Sequence, residues 1–468
     1  IFLVVLVIGI GYLFYSVVDM HSSNKGGSLS SSRKALTKEF VDSYDENIKK
    51  SKEVVEIDII AKSSEHEIID GTLTKVWSYN GTVPGPEIRM NIGETLRVNF
   101  TNSLPQETTV HWHGMRVPNA MDGVPGVTQD PIAPGDTFVY TFTPKDVGTF
   151  WFHPHVKTSE QMEKGLYGTV IVEDPNEDVY SQDKVLVIDD WLLTEEYQIN
   201  PYFVTRHDLA HDGRWGNVIT VNGSTDEIIT AKPGERIRLR FVNASNGRVY
   251  APYFSGLEAK VIAVDGMYVK EVLDASGFEL APGNRMDVDL IIPSVNYISS
   301  YTINDNFTRY ENKLASINVV GNSVETSYFN YPVNSKIPEW EDALSSSVDK
   351  EYRLNARENR QGNIEWTINE KAFPDFDPFV LAHYTFNKIR FVNESSRLHP
   401  MHLHGQFFKV IARNGKKVNE PYFRDTVLVH SKETVDLGIV ALDKGEWVQH
   451  CHILEHADAG MLTVITVN

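Results

Sequence analysis

His450-Cys451-His452-Ile453-Leu454-Glu455-His456, with Met461 close behind, contains the single cysteine of the 468-residue chain. A thiolate, imidazoles and a thioether in so short a stretch are soft ligands that suit an electron-transfer copper. Side chains alternate faces along a β-strand. Cys451 therefore points one way while His450 and His452 point the other. One segment can serve two metal sites back to back, joined by a covalent path for electrons.

The remaining histidines follow the same theme. His-x-His pairs stand at His111/His113, His153/His155, His402/His404 and His450/His452. With 16 histidines in the chain, random placement would give roughly 0.5 such pairs. Adding His399 and His456, ten of the 16 histidines fall in these clusters. One pair alone reads as a surface feature of a strand. Four pairs and a cysteine motif read as a metal centre. Each pair places two imidazoles on one face of a strand, so four strands supply eight imidazoles.

The segments His111-Trp112-His113-Gly114, Trp151-Phe152-His153-Pro154-His155, His399-Pro400-Met401-His402-Leu403-His404-Gly405 and His450 to His456, then Met461, resemble the four copper-binding segments of the multicopper oxidases. The likeness is greatest to the three-domain bacterial and archaeal branch of laccases and copper-efflux oxidases, and runs from about Val54 to the C-terminus. It implies four copper ions: one type 1, one type 2 and two type 3. By the resemblance, His111 and His402 hold the type 2 ion. His113, His153 and His452 hold one type 3 ion, and His155, His404 and His450 the other. His399, Cys451 and His456 hold the type 1 ion, with Met461 as its long axial ligand. The implied activity takes single electrons from a reductant at the type 1 site. They pass through Cys451 to His450 or His452, and dioxygen is reduced to water.

Protons must be supplied too. Asp122, in Met121-Asp122-Gly123, stands where the family places an acid behind the cluster; a turn aspartate before glycine is the plainer reading. Close relatives carry another acid directly after the second type 1 histidine. Here that position is Ala457, and Asp458 or a water chain is expected to take over its role. Glu455 is expected to face elsewhere.

Outside these motifs the chain reads as an all-β protein. From Val54 onward, short alternating apolar runs broken by Gly, Pro and Asn indicate β-sandwiches. Gly93-Glu94-Thr95-Leu96-Arg97-Val98-Asn99-Phe100-Thr101-Asn102 is echoed by Gly234-Glu235-Arg236-Ile237-Arg238-Leu239-Arg240-Phe241-Val242-Asn243, and Arg240-Phe241-Val242-Asn243 returns as Arg390-Phe391-Val392-Asn393. Three repeats of this kind fit the three Greek-key, cupredoxin-like sandwiches that the resemblance implies, over residues 53–176, 177–325 and 326–468. The first and third carry the metal motifs. The second is structural, and its His207 and His211 read as ordinary surface groups.

Residues 1–18 form an uncharged apolar run that reads as a hydrophobic helix, a signal anchor in preference to a cleaved signal peptide. The body is expected to be exported, held at the extracytoplasmic face of a membrane through that segment or released. Residues 19–52 read as a linker. Within it, His21–Ser32 reads as a flexible linker, and Arg33–Lys52 as a charged, partly helical tether outside the core. The formal net charge of −19 argues against a nucleic-acid partner, and one cysteine allows no internal disulfide.

The reductant is less legible. No methionine lies between Met286 and Met401, where copper-tolerance members carry a methionine-rich segment. Ser395 replaces the aspartate that such oxidases place four residues before the first type 1 histidine. Phenols or aromatic amines, as for a laccase, lead the expectation; a metal ion such as Cu(I), Fe(II) or Mn(II) follows. The acidic stretch from Glu339 to Asp377 reads as a solvated surface. Nitrite reductases do not need eight cluster imidazoles, a non-catalytic relative would lose ligands, and a zinc site would not use this cysteine-histidine-methionine set.

Overall fold

The computed structural model describes residues 31–44, 48–294, 298–326 and 330–468. Its strands form six sheets that pair into three sandwiches. Two four-stranded sheets make the first. A six- and a four-stranded sheet make the second, and a six- and a five-stranded sheet the third. Each has its own apolar core, and the third core takes in Cys451 and Met461 beside Leu403, Trp447 and Ile465.

The repeated sequence has a shared place in these sandwiches. Thr95–Ser103, Arg236–Asn243 and Phe386–Asn393 are the same strand in the three units. Each runs parallel to the strand that opens its unit, Val54–Ile69, Gln182–Trp191 or Lys350–Glu358. Each also runs antiparallel to a strand on its other side. Alternating apolar residues of these strands, such as Leu96, Val98 and Phe100, face the core, the period-two pattern of a half-buried strand.

The middle unit braces the other two. Arg285, fully buried at the start of the strand Arg285–Ile291, grips Asp425 of the third unit with Nη1 at 2.9 Å and Nη2 at 2.6 Å. Its Nε donates to the carbonyl of Thr149 in the first unit at 3.1 Å. Burial raises the cost of any charge on Asp425, yet the adjoining guanidinium prevails and holds its carboxyl well below the usual range.

The N-terminal segment departs from the expectation of a tether. Ser31–Ser43 is a helix, α1, whose Leu36 and Phe40 are buried with Trp340, Phe386, Phe407 and Phe423 of the third unit. The Phe40 ring lies 5.5 Å from Phe423 and 6.1 Å from Trp340, centroid to centroid. Trp340 Nε1 donates to the Leu36 carbonyl at 3.0 Å. Two apolar residues one turn apart suffice to dock a helix that otherwise reads as charged. The apolar run 1–18 and residues 19–30 and 45–47 of the linker lie outside the described residues. No helix among the described residues is long and apolar enough to cross a membrane.

Removing the Phe40 ring empties a packed aromatic site. Phe40→Ala is expected to cost about 3 kcal/mol or more, read as an earlier midpoint in denaturant unfolding. Superimposable unfolding curves would show that α1 contributes nothing to the core.

Candidate metal centre

Strand pairing brings the histidine pairs together within each unit. In the first, His111–His113 lies antiparallel to Gly148–His153, with His111 opposite His153. In the third, His399–Leu403 lies antiparallel to Gly445–Cys451, with His402 opposite His450 and Met401 opposite Cys451. His155, His404 and His452 sit just beyond their strands, where the backbone is free to turn the rings inward.

The two units then face each other. His111 stacks on His404 and His113 on His402, each with ring centroids 3.8 Å apart. Ligand atoms converge within 4.8 Å in the groups His111/His113/His402, His113/His153/His452 and His155/His404/His450. These eight imidazoles are buried, His155 only partly. Burial, followed by the neighbouring imidazoles, holds His113, His153, His155, His404 and His452 well below the ordinary histidine range. Burial brings His450 down to about 3. These rings therefore offer neutral lone pairs. Gly283 of the middle unit, at φ +88°, closes over the cluster: a Cβ there would lie 2.9 Å from His113 and 3.0 Å from His452.

Protein oxygens hold the outer nitrogens of several of these rings. His111 Nδ1 donates to the Asp122 carbonyl at 2.8 Å, His153 Nδ1 to that of Pro154 at 2.9 Å, His402 Nδ1 to that of Asp425 at 3.0 Å and His450 Nδ1 to that of Cys451 at 2.8 Å. The inner nitrogens are orphans: Nε2 of His111, His153, His155, His402 and His452, and Nδ1 of His113, have no hydrogen-bond partner among the described residues. Buried polar atoms are rarely left so. A set of inward lone pairs, with the opposite nitrogens of His111, His153, His402, His404 and His450 held by oxygens, fits a group of metal ions.

Cys451 turns to the other side of its strand, as alternation requires. Its Sγ lies 3.6 Å from His399 Nδ1 and 3.8 Å from His456 Nδ1, and the two nitrogens are 3.3 Å apart. The centre of that triangle is roughly 2 Å from each corner, a metal–ligand bond length. His456 sits in the short helix Leu454–Asp458. Met461 is fully buried in the same core as Cys451; its carbonyl accepts from Cys451 N at 3.1 Å, and its N donates to the His456 carbonyl at 2.9 Å. Burial pushes the Cys451 thiol up, so the thiolate belongs to the metal-bound state. The donor set, two imidazoles and a sulfur with a thioether nearby, suits copper.

The acids are placed as follows. Asp122 is fully buried beneath the cluster, its Oδ2 2.9 Å from His404 Nδ1 and its Oδ1 3.3 Å from His111 Nδ1. It is a turn residue before Gly123 and a partner of two imidazoles at once. Asp458 is exposed. Its hydrogen-bond partners among the described residues are the amide and hydroxyl of Ser159, the amide at 3.1 Å. It fastens the helix Thr158–Glu163 to the last copper-motif helix. Glu455 turns away toward the middle unit, accepting from Asn246 Nδ2 at 2.8 Å and Arg214 N at 3.1 Å.

Several site residues carry no motif. Asp425 Oδ1 lies 3.4 Å from both His402 Nδ1 and His113 Nε2. The signal was present: an acid within the apolar run Tyr422-Phe423-Arg424-Asp425-Thr426-Val427 needs a buried partner. Ser395, noted only as a departure, has Oγ 2.9 Å from His399 Nε2. Trp366 covers the cysteine site, its ring 3.9 Å from that of His456 and 4.9 Å from that of His399. The carbonyl of His211 accepts from His456 Nε2 at 2.8 Å, so the stretch read as plain surface reaches the site through its backbone.

Comparison with known proteins agrees with this geometry. Family profiles described as multicopper oxidase match residues 61–177, 182–331 and 345–468. A multicopper oxidase of Staphylococcus aureus is 29% identical over 423 residues, 87% of each chain. The crystal structure of a multi-copper oxidase from Pseudomonas Parafulva superposes with a TM-score of 0.78 at 31% identity, covering 88% of this chain and 100% of that one. A Campylobacter jejuni multicopper oxidase described as a metallo-oxidase gives a TM-score of 0.74 at 27% identity, covering 90% and 93%. With two buried donor clusters in a three-sandwich fold and profile matches across most of its length, the chain belongs to the multicopper oxidase family, copper-dependent oxidoreductases that pass electrons from a reductant to dioxygen.

Proposed function

We propose that His399, Cys451 and His456, with Met461 in the same core, would hold the type 1 copper. His111 and His402 hold the type 2 ion, His113, His153 and His452 one type 3 ion, and His155, His404 and His450 the other. The observation that carries this assignment is the set of buried ring nitrogens without protein partners beside the cysteine triangle. When bound, these coppers supply one-electron oxidation at the cysteine side and four-electron reduction of dioxygen at the imidazole side.

The residues of the chain do the rest. Cys451 is covalently continuous with His450 and His452, giving electrons a path of a few bonds between the sites. Asp122 orients His404 and His111; of the two acids that reach the cluster it is the one not clamped by Arg285, and we assign it the handling of protons. Asp458, engaged with Ser159, acts on the proton path only by holding two helices in place. Export of the body rests on the apolar run 1–18, with the sandwiches outside the cytoplasm.

The geometry supports a metal-ion reductant ahead of a phenol. His399, Cys451 and His456 are fully buried, Trp366 packs against the His456 ring at a tilt of 32°, and the His211 carbonyl occupies its Nε2. A phenol would have to displace that cover to touch the imidazole edge, whereas a small ion can deliver its electron from outside it. The acidic stretch from Glu339 to Asp377 adds nothing to this preference, since Glu339, Glu341, Asp349, Glu351, Glu365 and Asp377 are each paired with a Lys or Arg.

Cys451→Ser is expected to abolish the blue absorption of the copper-loaded protein and to leave the imidazole cluster able to hold copper, checked by metal analysis with paramagnetic resonance. Retained blue colour would place the type 1 site elsewhere. Oxygen uptake is expected to be faster with Cu(I) or Fe(II) than with a phenol; a response to the phenol alone would reverse the order of substrates.

A further inference from the structure

Asparagine followed by any residue but proline and then by serine or threonine is a glycan acceptor when it stands on a surface loop of an exported protein. Six such triplets occur: Asn80-Gly81-Thr82, Asn99-Phe100-Thr101, Asn222-Gly223-Ser224, Asn243-Ala244-Ser245, Asn306-Phe307-Thr308 and Asn393-Glu394-Ser395. The glycan is joined to the side-chain nitrogen, so Nδ2 must reach solvent with its hydrogens uncommitted.

The fold accounts for five of the six. Asn243 and Asn393 end the repeated strand, with Nδ2 donating to the Leu280 and His430 carbonyls at 2.8 and 2.9 Å and Oδ1 accepting from N of Ser245 and Ser395. Asn102 makes the same turn in the first unit, its Nδ2 on the Ile132 carbonyl at 2.8 Å and its Oδ1 on Leu104 N. The turn therefore needs the asparagine and not the serine. Asn80 and Asn222 take left-handed backbone at φ +59° and +53°, with Nδ2 on the Asp58 and Val185 carbonyls at 2.9 and 3.0 Å. Asn369 repeats this in the third unit at φ +54°, its Nδ2 on the Glu351 carbonyl, and Lys371 stands where a serine or threonine would. Asn99 lies within the strand Thr95–Ser103, its Nδ2 donating to Asp58 Oδ1 at 2.9 Å and Glu56 Oε1 at 3.1 Å.

Asn306 has no such duty. It opens the loop between the antiparallel strands Ser300–Asp305 and Asn312–Val319. Its neighbours do the structural work. Asp305 Oδ1 accepts from N of Ala251 at 2.8 Å and of Phe307 at 3.0 Å, and Phe307 packs with Val249, Ala281 and Leu428. The Asn306 backbone is held too, its N donating to the Ala251 carbonyl at 3.0 Å. Its side chain is exposed and makes no hydrogen bond among the described residues. Arg309, Tyr310 and Glu311 beyond it are also exposed, so the loop presents its tip, and Nδ2 with it, to solvent.

We propose that Asn306 carries an N-linked glycan. This rests on the reading of export given above, because lipid-linked glycans are transferred to asparagine on the outer side of a membrane. In the transfer, a bond forms between Asn306 Nδ2 and the anomeric carbon of a sugar. The bond from that carbon to the phosphate of a lipid-linked donor breaks, and the phosphate leaves with the bonding electron pair. The amide gives up one N–H proton, and nothing is oxidised or reduced. The attached glycan shields a loop whose Tyr310 is 80% exposed.

Peptide mass mapping of the full chain purified from its own cells, with the cytoplasmic fraction kept apart, tests the site. The peptide holding Asn306 is expected to carry the added mass of one or more sugar residues, and those holding the other five asparagines none. Asn306→Gln is expected to remove the added mass and to leave blue absorption and oxygen uptake unchanged. A bare Asn306 in protein recovered outside the cytoplasm overturns the site and leaves export standing. A bare Asn306 in protein found only in the cytoplasm overturns export and the site with it. A glycan on any of the other five, with Asn306 bare, overturns the argument from committed amides.

Discussion

Everything in the molecule is arranged around buried lone pairs that the protein does not itself satisfy. Seven ring nitrogens of the cluster have no partner among the described residues, and each such atom left alone in the interior costs about 1–3 kcal/mol. No polypeptide keeps so many in one place for packing alone. Metal ions resolve the conflict, because they replace water as the partner of every inward nitrogen at once. Metal ions held there would couple binding to folding, since the pocket forms where the first and third sandwiches meet.

That meeting is held by polar anchors as well as apolar cores. Arg285 reaches from the middle sandwich to Asp425 and to the Thr149 carbonyl, and Asp425 in turn touches His402 and His113. A fully buried ion pair is weak evidence for net stability, but removing one member leaves an unpaired charge and costs several kcal/mol. Its value here is positional. It ties the sandwich that carries no ligands to the orientation of rings in both sandwiches that do. Asp122 serves the same end from beneath, linking His111 of one unit to His404 of the other.

The cysteine site is closed where the cluster is shared. Its ligands lie inside the third core, and its outer face is covered by Trp366 and by the backbone of His211. Substrate choice in such a site is a matter of what can reach the cover. The middle sandwich, silent in motif terms, supplies part of that cover through the helix Arg206–Ala210.

The donor residues that converge were legible in the chain because metal chemistry demands specific residue types at short range: His450-Cys451-His452 on a strand separates two donor clusters by alternation alone, and repeated Gly-Glu and Arg-Phe-Val-Asn segments mark an equivalent strand in each of three sandwiches. Short-range pattern could not show what depends on distant partners. Asp425, Ser395, Trp366 and the His211 carbonyl join the site only when strands and helices far apart in sequence are brought together, and burial is a property of that assembly. Leu36 and Phe40 read as part of a charged tether until an aromatic pocket in the third sandwich was there to receive them. The chain itself determined which donor residues the clusters are built from; tertiary packing decided which groups orient those residues, which cover them and how deeply they are buried.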